Sequence, residues 1–195
     1  MKNITYNYFN WGPFLYQTNV GEETVKKILS LCKRDKSKDM RERLAGHLSE
    51  EYELKTEDVM QFLGVYFKSY QQAANHHYNL NFTKPIKMKT AWVNYMKESE
   101  FNPPHDHSGD LSCVLYLKVP KDIEQNNKNH ISNSPNPGCL YFKYGERLKF
   151  NLHETYIIPK VGDFYIFPAW LNHTVFPFKS KEERISLAAN LIEID

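Results

Sequence analysis

The sequence predicts a mainly β fold, an antiparallel sandwich or jelly roll, with helices packed outside it. Three observations carry this expectation. Beyond Pro85 the chain breaks into short apolar or alternating runs, Gly, Pro and Asn punctuate them, and two stretches of helical periodicity come before them. Seven or so strands after a helical portion fit one sheet pair with helices on its surface. At 195 residues, with 41% hydrophobic and 14% aromatic content, the chain suffices for about one core. A single domain is expected over 1–195, with a helical portion at 1–84 and a β core at 85–195.

Each element has its own reason. From Gly21 to Arg34 the apolar residues Val25, Ile28, Leu29 and Cys32 recur at helical spacing, with acids ahead of bases. The charge-rich stretch that follows, RDKSKDMRERLAGHLSEEYELK, reads as a surface excursion. From Thr56 to about Asn79 a long helix is predicted behind a Thr cap, with Val59, Phe62, Leu63, Tyr66, Phe67 and Tyr70 on one face. Its adjacent histidines His76 and His77 point about 100° apart and are read as a polar helix end. The strands are IKMKTAWVNYM, LSCVLYLKV, GCLYFKY, ETYIIP, DFYIFPAW, HTVFPF and RISLAANLIEI. Between the second and third, PKDIEQNNKNHISNSPNPG is rich in Asn, Ser and Pro, and residues 121–138 are expected to form a mobile surface loop, a candidate lid.

Composition narrows the function classes. A formal charge of +2, from 25 Lys and Arg against 23 Asp and Glu, gives no field that announces a polyanion. The basic patches KPIKMK and KNK are too short to select nucleic acid. Cys32, Cys113 and Cys139 are odd in number and lack C-x-x-C spacing, which argues against a disulfide framework or a thiolate zinc site and fits a reducing cytoplasm. The opening MKNITYNYFNWGPFLY has no signal-peptide pattern, and no run approaches the roughly 20 apolar residues that cross a bilayer. No membrane partner is expected, and oligomeric state is not readable.

The chemistry concentrates in two segments. In WVNYMKESEFNPPHDHSGDLSCVLYLKVP, His105 and His107 sit two apart where a polar turn enters an apolar strand, so in extended chain they project to one face and Asp106 points away. His173 opens a later strand, which a jelly roll can bring beside the first pair. Asp110 could supply a carboxylate instead if the turn at Ser108-Gly109 bends it inward; strand geometry favours the three histidines. Arg184 and Ser186, two apart on the last strand, offer a planar guanidinium fork and a hydroxyl, a clamp for the distal carboxylate of a dicarboxylic acid. Three unrelated polar loop residues and an edge-strand arginine are the plainer alternative, which the ordered combination weighs against.

That combination, H-x-H entering an apolar strand, then P-x-x-G-D-x-x-x-F-P-x-x-x-x-H, then R-x-S-x-x-x-N, resembles the iron(II)- and 2-oxoglutarate-dependent oxygenases over about Trp92 to Asn190. Within that superfamily it is similar to oxygenases of bacteria and marine bacteriophages. The resemblance implies a double-stranded β-helix (jelly roll, cupin-like) and iron(II) held by His105, His107 and His173. It also implies 2-oxoglutarate held by Arg184 and Ser186, with Asn94 and Tyr116 lining the same pocket and Trp92, Tyr116 and Trp170 excluding water. Dioxygen and an organic substrate, a peptide side chain, nucleobase or metabolite, are the implied partners, in the cytoplasm or, for a phage protein, the host cytoplasm. The common motif of the family is H-x-D, whereas this chain has His107 at that place. Three neutral imidazoles leave the site one positive charge richer, which favours an anionic co-substrate. Two rivals stand beside this reading: a cupin-like three-histidine metalloprotein that does not use 2-oxoglutarate, against which Arg184 and Ser186 speak, and a non-catalytic jelly-roll binding module.

Overall fold

The structure is a computed structural model that describes residues 12–194. Most of the opening MKNITYNYFNWGPFLY lies outside these residues. Among the described residues ten strands form two antiparallel sheets. They are β1 (Tyr16–Asn19), β2 (Glu51–Glu53), β3 (Ile86–Met96), β4 (Asn102–His105) and β5 (Leu111–Lys118), then β6 (Leu140–Lys143), β7 (Glu154–Ile157), β8 (Asp163–Pro168), β9 (His173–Val175) and β10 (Arg184–Glu193). The larger sheet has the order β1-β8-β5-β10-β3-β2 and the smaller one β4-β9-β6-β7. The helices are α1 (Gly21–Leu31), α2 (Thr56–Tyr78) and α3 (Asp122–Lys128).

Strand alternation sorts the larger sheet into two faces. Ala91, Val93 and Tyr95 of β3, Cys113, Leu115 and Leu117 of β5, and Ile185, Leu187 and Ala189 of β10 share one core with Val25 and Ile28 of α1 and with Val59, Leu63 and Phe67 of α2. Burying each such aliphatic or aromatic side chain contributes roughly 1.5–3 kcal/mol. The intervening residues, among them Trp92, Asn94, Tyr116, Arg184 and Ser186, face the space between the sheets. That division puts polar chemistry inside the sandwich and leaves anchorage to the helices.

Several local expectations are corrected. Thr56 is the first helical residue rather than a cap, because Lys55 occupies the cap position and no side chain bonds the first turn. Residues 121–138 are not a bare loop. They contain α3, whose Ile123 is buried with Leu48, Met96 and Phe178. Asp122 accepts from Ser180 Oγ (2.6 Å), and Asn126 exchanges bonds with Lys179 through its side chain. The charge-rich stretch before α2 also sends β2 into the edge of the larger sheet, where it pairs with β3.

Candidate metal centre

Two strands of the smaller sheet bring the first imidazoles together. His105 ends β4 directly opposite His173, which opens β9, and antiparallel partners share a face. Their ring centroids are 4.3 Å apart. His107 follows on a turn fixed at three points: its own N–H donates to Ala169 O, Asp110 N–H to Leu191 O, and Ala169 N–H to Asp110 O. Gly109 in that turn has φ +110, and a Cβ there would stand 2.7 Å from Leu191 O, so only glycine fits. His107 then lies 5.0 Å from each of the other two rings.

The three imidazoles offer nitrogens within 4.8 Å of one another. A shared ion with bonds of about 2.1 Å needs separations of about 3 Å, and His107 Nε2 and His173 Nε2 stand 3.2 Å apart. The tautomers follow from the partners. His105 Nδ1 lies 2.7 Å from Pro103 O and His173 Nδ1 2.9 Å from Leu171 O, and a carbonyl only accepts, so each Nδ1 carries the proton and each Nε2 offers a lone pair. Burial drives all three rings toward the neutral form. It lowers the pKa of His105, and, with repulsion from neighbouring rings, pushes His107 down to about 4 and His173 to about 3. Neutral imidazoles with inward lone pairs are the donor set that a divalent transition metal takes.

Asp110 does not join them. It is exposed, and its carboxylate accepts from Glu193 N–H at 2.7 Å. Asp106 is exposed as well. Trp170 is 55% exposed and leans on Tyr144, so it lies off the cavity, whereas Trp92 lines it 5.7 Å from His107.

Arg184 stands in the same cavity, 3% exposed. Its Nη1 donates to Gly138 O (3.1 Å) and its Nη2 to the Met96 sulfur (2.7 Å), while Nε has no partner. The Tyr116 and Phe178 rings lie 5.5 and 5.9 Å from the guanidinium carbon. Among the described residues no carboxylate pairs with it, and burial lowers its pKa. A cation held away from water without a counter-ion is costly unless a bound anion completes it.

Ser186, next but one on β10, stands opposite both Asn94 and Tyr116 and accepts from Asn94 Nδ2 at 3.5 Å. His105, His107, His173, Arg184, Ser186, Asn94, Tyr116 and Trp92 thus line one cavity, and of the residues singled out for it from the sequence Trp170 stands outside. Sequence reasoning missed Gly138, whose carbonyl steadies Arg184, and the acid Glu51 beside Asn94. The first acts through its backbone, and the second sits in a stretch whose charge suggests surface.

A family model described as putative 2OG-Fe(II) oxygenase matches residues 90–190. No curated protein matches the sequence. Solved structures do. A Pseudomonas putida prolyl-4-hydroxylase is 16% identical with a TM-score of 0.58, covering 93% of each chain. The viral collagen prolyl hydroxylase of Paramecium bursaria Chlorella virus-1, in its 2-oxoglutarate complex, is 14% identical with a TM-score of 0.60, covering 92% of this chain and 96% of that one. The non-heme α-ketoglutarate-dependent epimerase SnoN from nogalamycin biosynthesis is 13% identical with a TM-score of 0.57, covering 92% and 76%. At such identities the likeness shows the fold alone.

Proposed function

Since the chain belongs to the 2OG-Fe(II) oxygenase family, we propose that it is a jelly-roll dioxygenase in which His105, His107 and His173 hold one iron(II) and Arg184 with Ser186 holds 2-oxoglutarate. The two facing sheets support the double-stranded β-helix reading, and the range 85–195 is proposed as its core within a single domain. Iron(II) and 2-oxoglutarate fit the donors present. Three imidazoles face one point, and a buried guanidinium lacks its anion.

When bound, the pair supplies the oxidising chemistry: dioxygen and 2-oxoglutarate are consumed, succinate and carbon dioxide leave, and one oxygen atom enters a substrate C–H bond. The chain supplies placement. Arg184 and Ser186 fix the far carboxylate, Asn94 and Tyr116 border the co-substrate, and Trp92 with Tyr116 keeps the cavity dry. The carbonyls of Pro103 and Leu171 hold the His105 and His173 protons on the side away from the metal.

The observation that carries this reading is the unpaired, buried Arg184 in one cavity with the three histidines. A three-histidine site that did not use an anionic co-substrate would have no need of it, which weighs against the cupin-like and binding-module readings. The reaction is proposed as hydroxylation because similar structures include prolyl hydroxylases; a peptide side chain is then the first substrate class to try. The proposed relation to bacteriophage oxygenases is only loosely supported, by the Chlorella virus structure. Among the described residues no helix is long and apolar enough to cross a membrane, and the three cysteines are free, which supports the proposed cytoplasmic location.

The test is oxygen uptake by the iron-loaded protein with and without 2-oxoglutarate, with succinate measured. Uptake and succinate that both require 2-oxoglutarate support the reading. A protein that binds iron but forms no succinate and shows no affinity for 2-oxoglutarate sinks it.

A further inference from the structure

The row of residues that carries Asn94 and Ser186 continues past β3. Glu51 on β2 stands opposite Asn94, Asn94 opposite Ser186, and Ser186 opposite Tyr116. Directly opposed residues share a face, so Glu51 belongs to the face that looks between the sheets. With strands about 4.8 Å apart, it lies roughly 10 Å from Ser186, on the side away from Tyr116.

Glu51 is 0% exposed, yet neither of its carboxylate oxygens has a hydrogen-bond partner, and neither does Asn94 Oδ1. Buried acids are ordinarily paired or donated to. Here the surroundings withhold the donor. Arg41 spends its Nε and Nη2 on Asp39. Glu100 is engaged by the N–H groups of Ser49 and Lys97. Asp39 and Glu100 add negative potential at Glu51, against which Arg41 alone acts.

Gly46 packs closely against the carboxylate. A Cβ on Gly46 would stand 3.0 Å from Glu51 Oε1 and 2.9 Å from Leu48 Cδ1, so any side chain there would crowd both. Leu48 and Asn94 both line the cavity of the metal centre. Arg184 lines that cavity on β10, and Glu51 stands behind Asn94 in register on β2, next to its lining.

We propose that Glu51 and Asn94 form a subsite for a cationic nitrogen of the substrate, a primary ammonium or a guanidinium, which enters past Leu48. The proposal rests on the oxygenase reading and names its substrate class. A nitrogen with several N–H groups can serve both Glu51 oxygens and Asn94 Oδ1, whereas a hydroxyl carries one proton only. An alkyl stem behind the charge matches the apolar Leu48 that it must pass.

The test titrates the anaerobic protein, supplied with iron(II) and 2-oxoglutarate, with n-butylammonium, n-propylguanidinium and 1-butanol by calorimetry. It is repeated on Glu51→Gln, where the amide keeps the shape and places an N–H among the acceptors, and on Gly46→Ala, whose methyl crowds the carboxylate and Leu48. Thermal melting identifies which variant is folded, and either suffices. The expected result is a preference of about tenfold or more for both cations over the alcohol, lost in the folded variants. No cation preference in the wild type, or one that survives both substitutions, overturns the proposal. The 2-oxoglutarate affinity of the same wild-type sample is recorded separately: its absence removes the oxygenase reading, while the cation preference stands or falls on its own titration.

Discussion

Arg184→Ala should abolish useful affinity for 2-oxoglutarate while leaving iron(II) binding in place. Among the described residues this guanidinium bonds Gly138 O and the Met96 sulfur and has no carboxylate partner, so the substitution removes no ion pair seen in the free protein. Its main effect falls on the ligand. At 3% exposure the pairing with a carboxylate is almost fully desolvated, and losing one partner of such a pair costs on the order of 2–5 kcal/mol. That is roughly a 30-fold to several-thousand-fold rise in Kd. Lys, a point charge without the fork, should fall between. Calorimetric titration of the anaerobic, iron-loaded protein reads both affinities. Melting gives a second reading: 2-oxoglutarate at 100 times its Kd should stabilise the wild type by about 2.7 kcal/mol, roughly 5–10 °C for a chain of this size, and the same concentration should stabilise the Ala variant by no more than about 0.9 kcal/mol. Unchanged 2-oxoglutarate affinity in Arg184→Ala would refute the clamp and return the molecule to the cupin-like reading.

His173→Ala should lose iron stoichiometry yet melt cooperatively, because the ring is a proposed ligand and only one of several aromatic contacts with Phe142 and Phe167; metal analysis with circular dichroism checks it. Asp110→Ala should keep iron affinity and lose only the bond to Glu193 N–H, while His107→Ala loses the metal and His107→Asp retains it; the reverse pattern would move the ligand to Asp110. Gly138 has φ +73 and a Cβ there would meet Ile123 at 3.1–3.4 Å, so Gly138→Ala should displace the carbonyl that holds Arg184 and weaken 2-oxoglutarate binding by about tenfold, with partial rescue by Ile123→Ala; no rescue would mean that backbone strain alone is at fault. Glu51, raised from 4.5 to about 7 by burial and by Asp39 and Glu100, holds its proton in the folded state after the unfolded chain has released it. Stability should therefore fall as pH rises from about 4.5 to about 7, by on the order of 3 kcal/mol, and level off above; Glu51→Gln should flatten that slope in denaturant titrations, and an unchanged slope would assign it to other groups.

What could be read in advance depended on where each residue's determinants lie. The seven strands from β3 to β10 that carry apolar runs announced themselves by period and punctuation, and the bounds of β3 coincide with the run IKMKTAWVNYM. The three missed strands have little pattern to show. β1 is YQTN, β2 is EYE, and β4 is NPPH with two prolines that a strand tolerates only where ladder bonds are dispensable. Partners far along the chain make them strands: β1 pairs with β8 and β4 with β9. α3 was hidden because its sequence, DIEQNNK, has one buried apolar residue and otherwise reads as loop.

The site was legible where side chains carry it. A spacing of two placed His105 with His107 and Arg184 with Ser186, because that spacing holds on any extended strand. That His105 faces His173, or that Ser186 lies between Asn94 and Tyr116, is a matter of register between distant strands. Glu51 was unreadable for a related reason. Nothing local separates a buried acid from its solvated neighbours when only pairing with Asn94 turns it inward.

The carbonyls of Pro103 and Leu171 have a consequence for how the centre competes with acid. A histidine of ordinary pKa must shed a proton before it can take a metal below about pH 6.5, and occupancy then declines with acidity. Here the fold has already settled that contest. With His107 near 4 and His173 near 3, those two rings stay vacant of extra protons into mildly acidic solution, burial shifts His105 in the same direction, and the one proton that each of His105 and His173 retains points at a carbonyl, out of the metal's way. Uptake of the ion therefore displaces almost no hydrogen ions near neutrality, and the centre stays receptive under acidic conditions that empty a solvent-exposed histidine cluster.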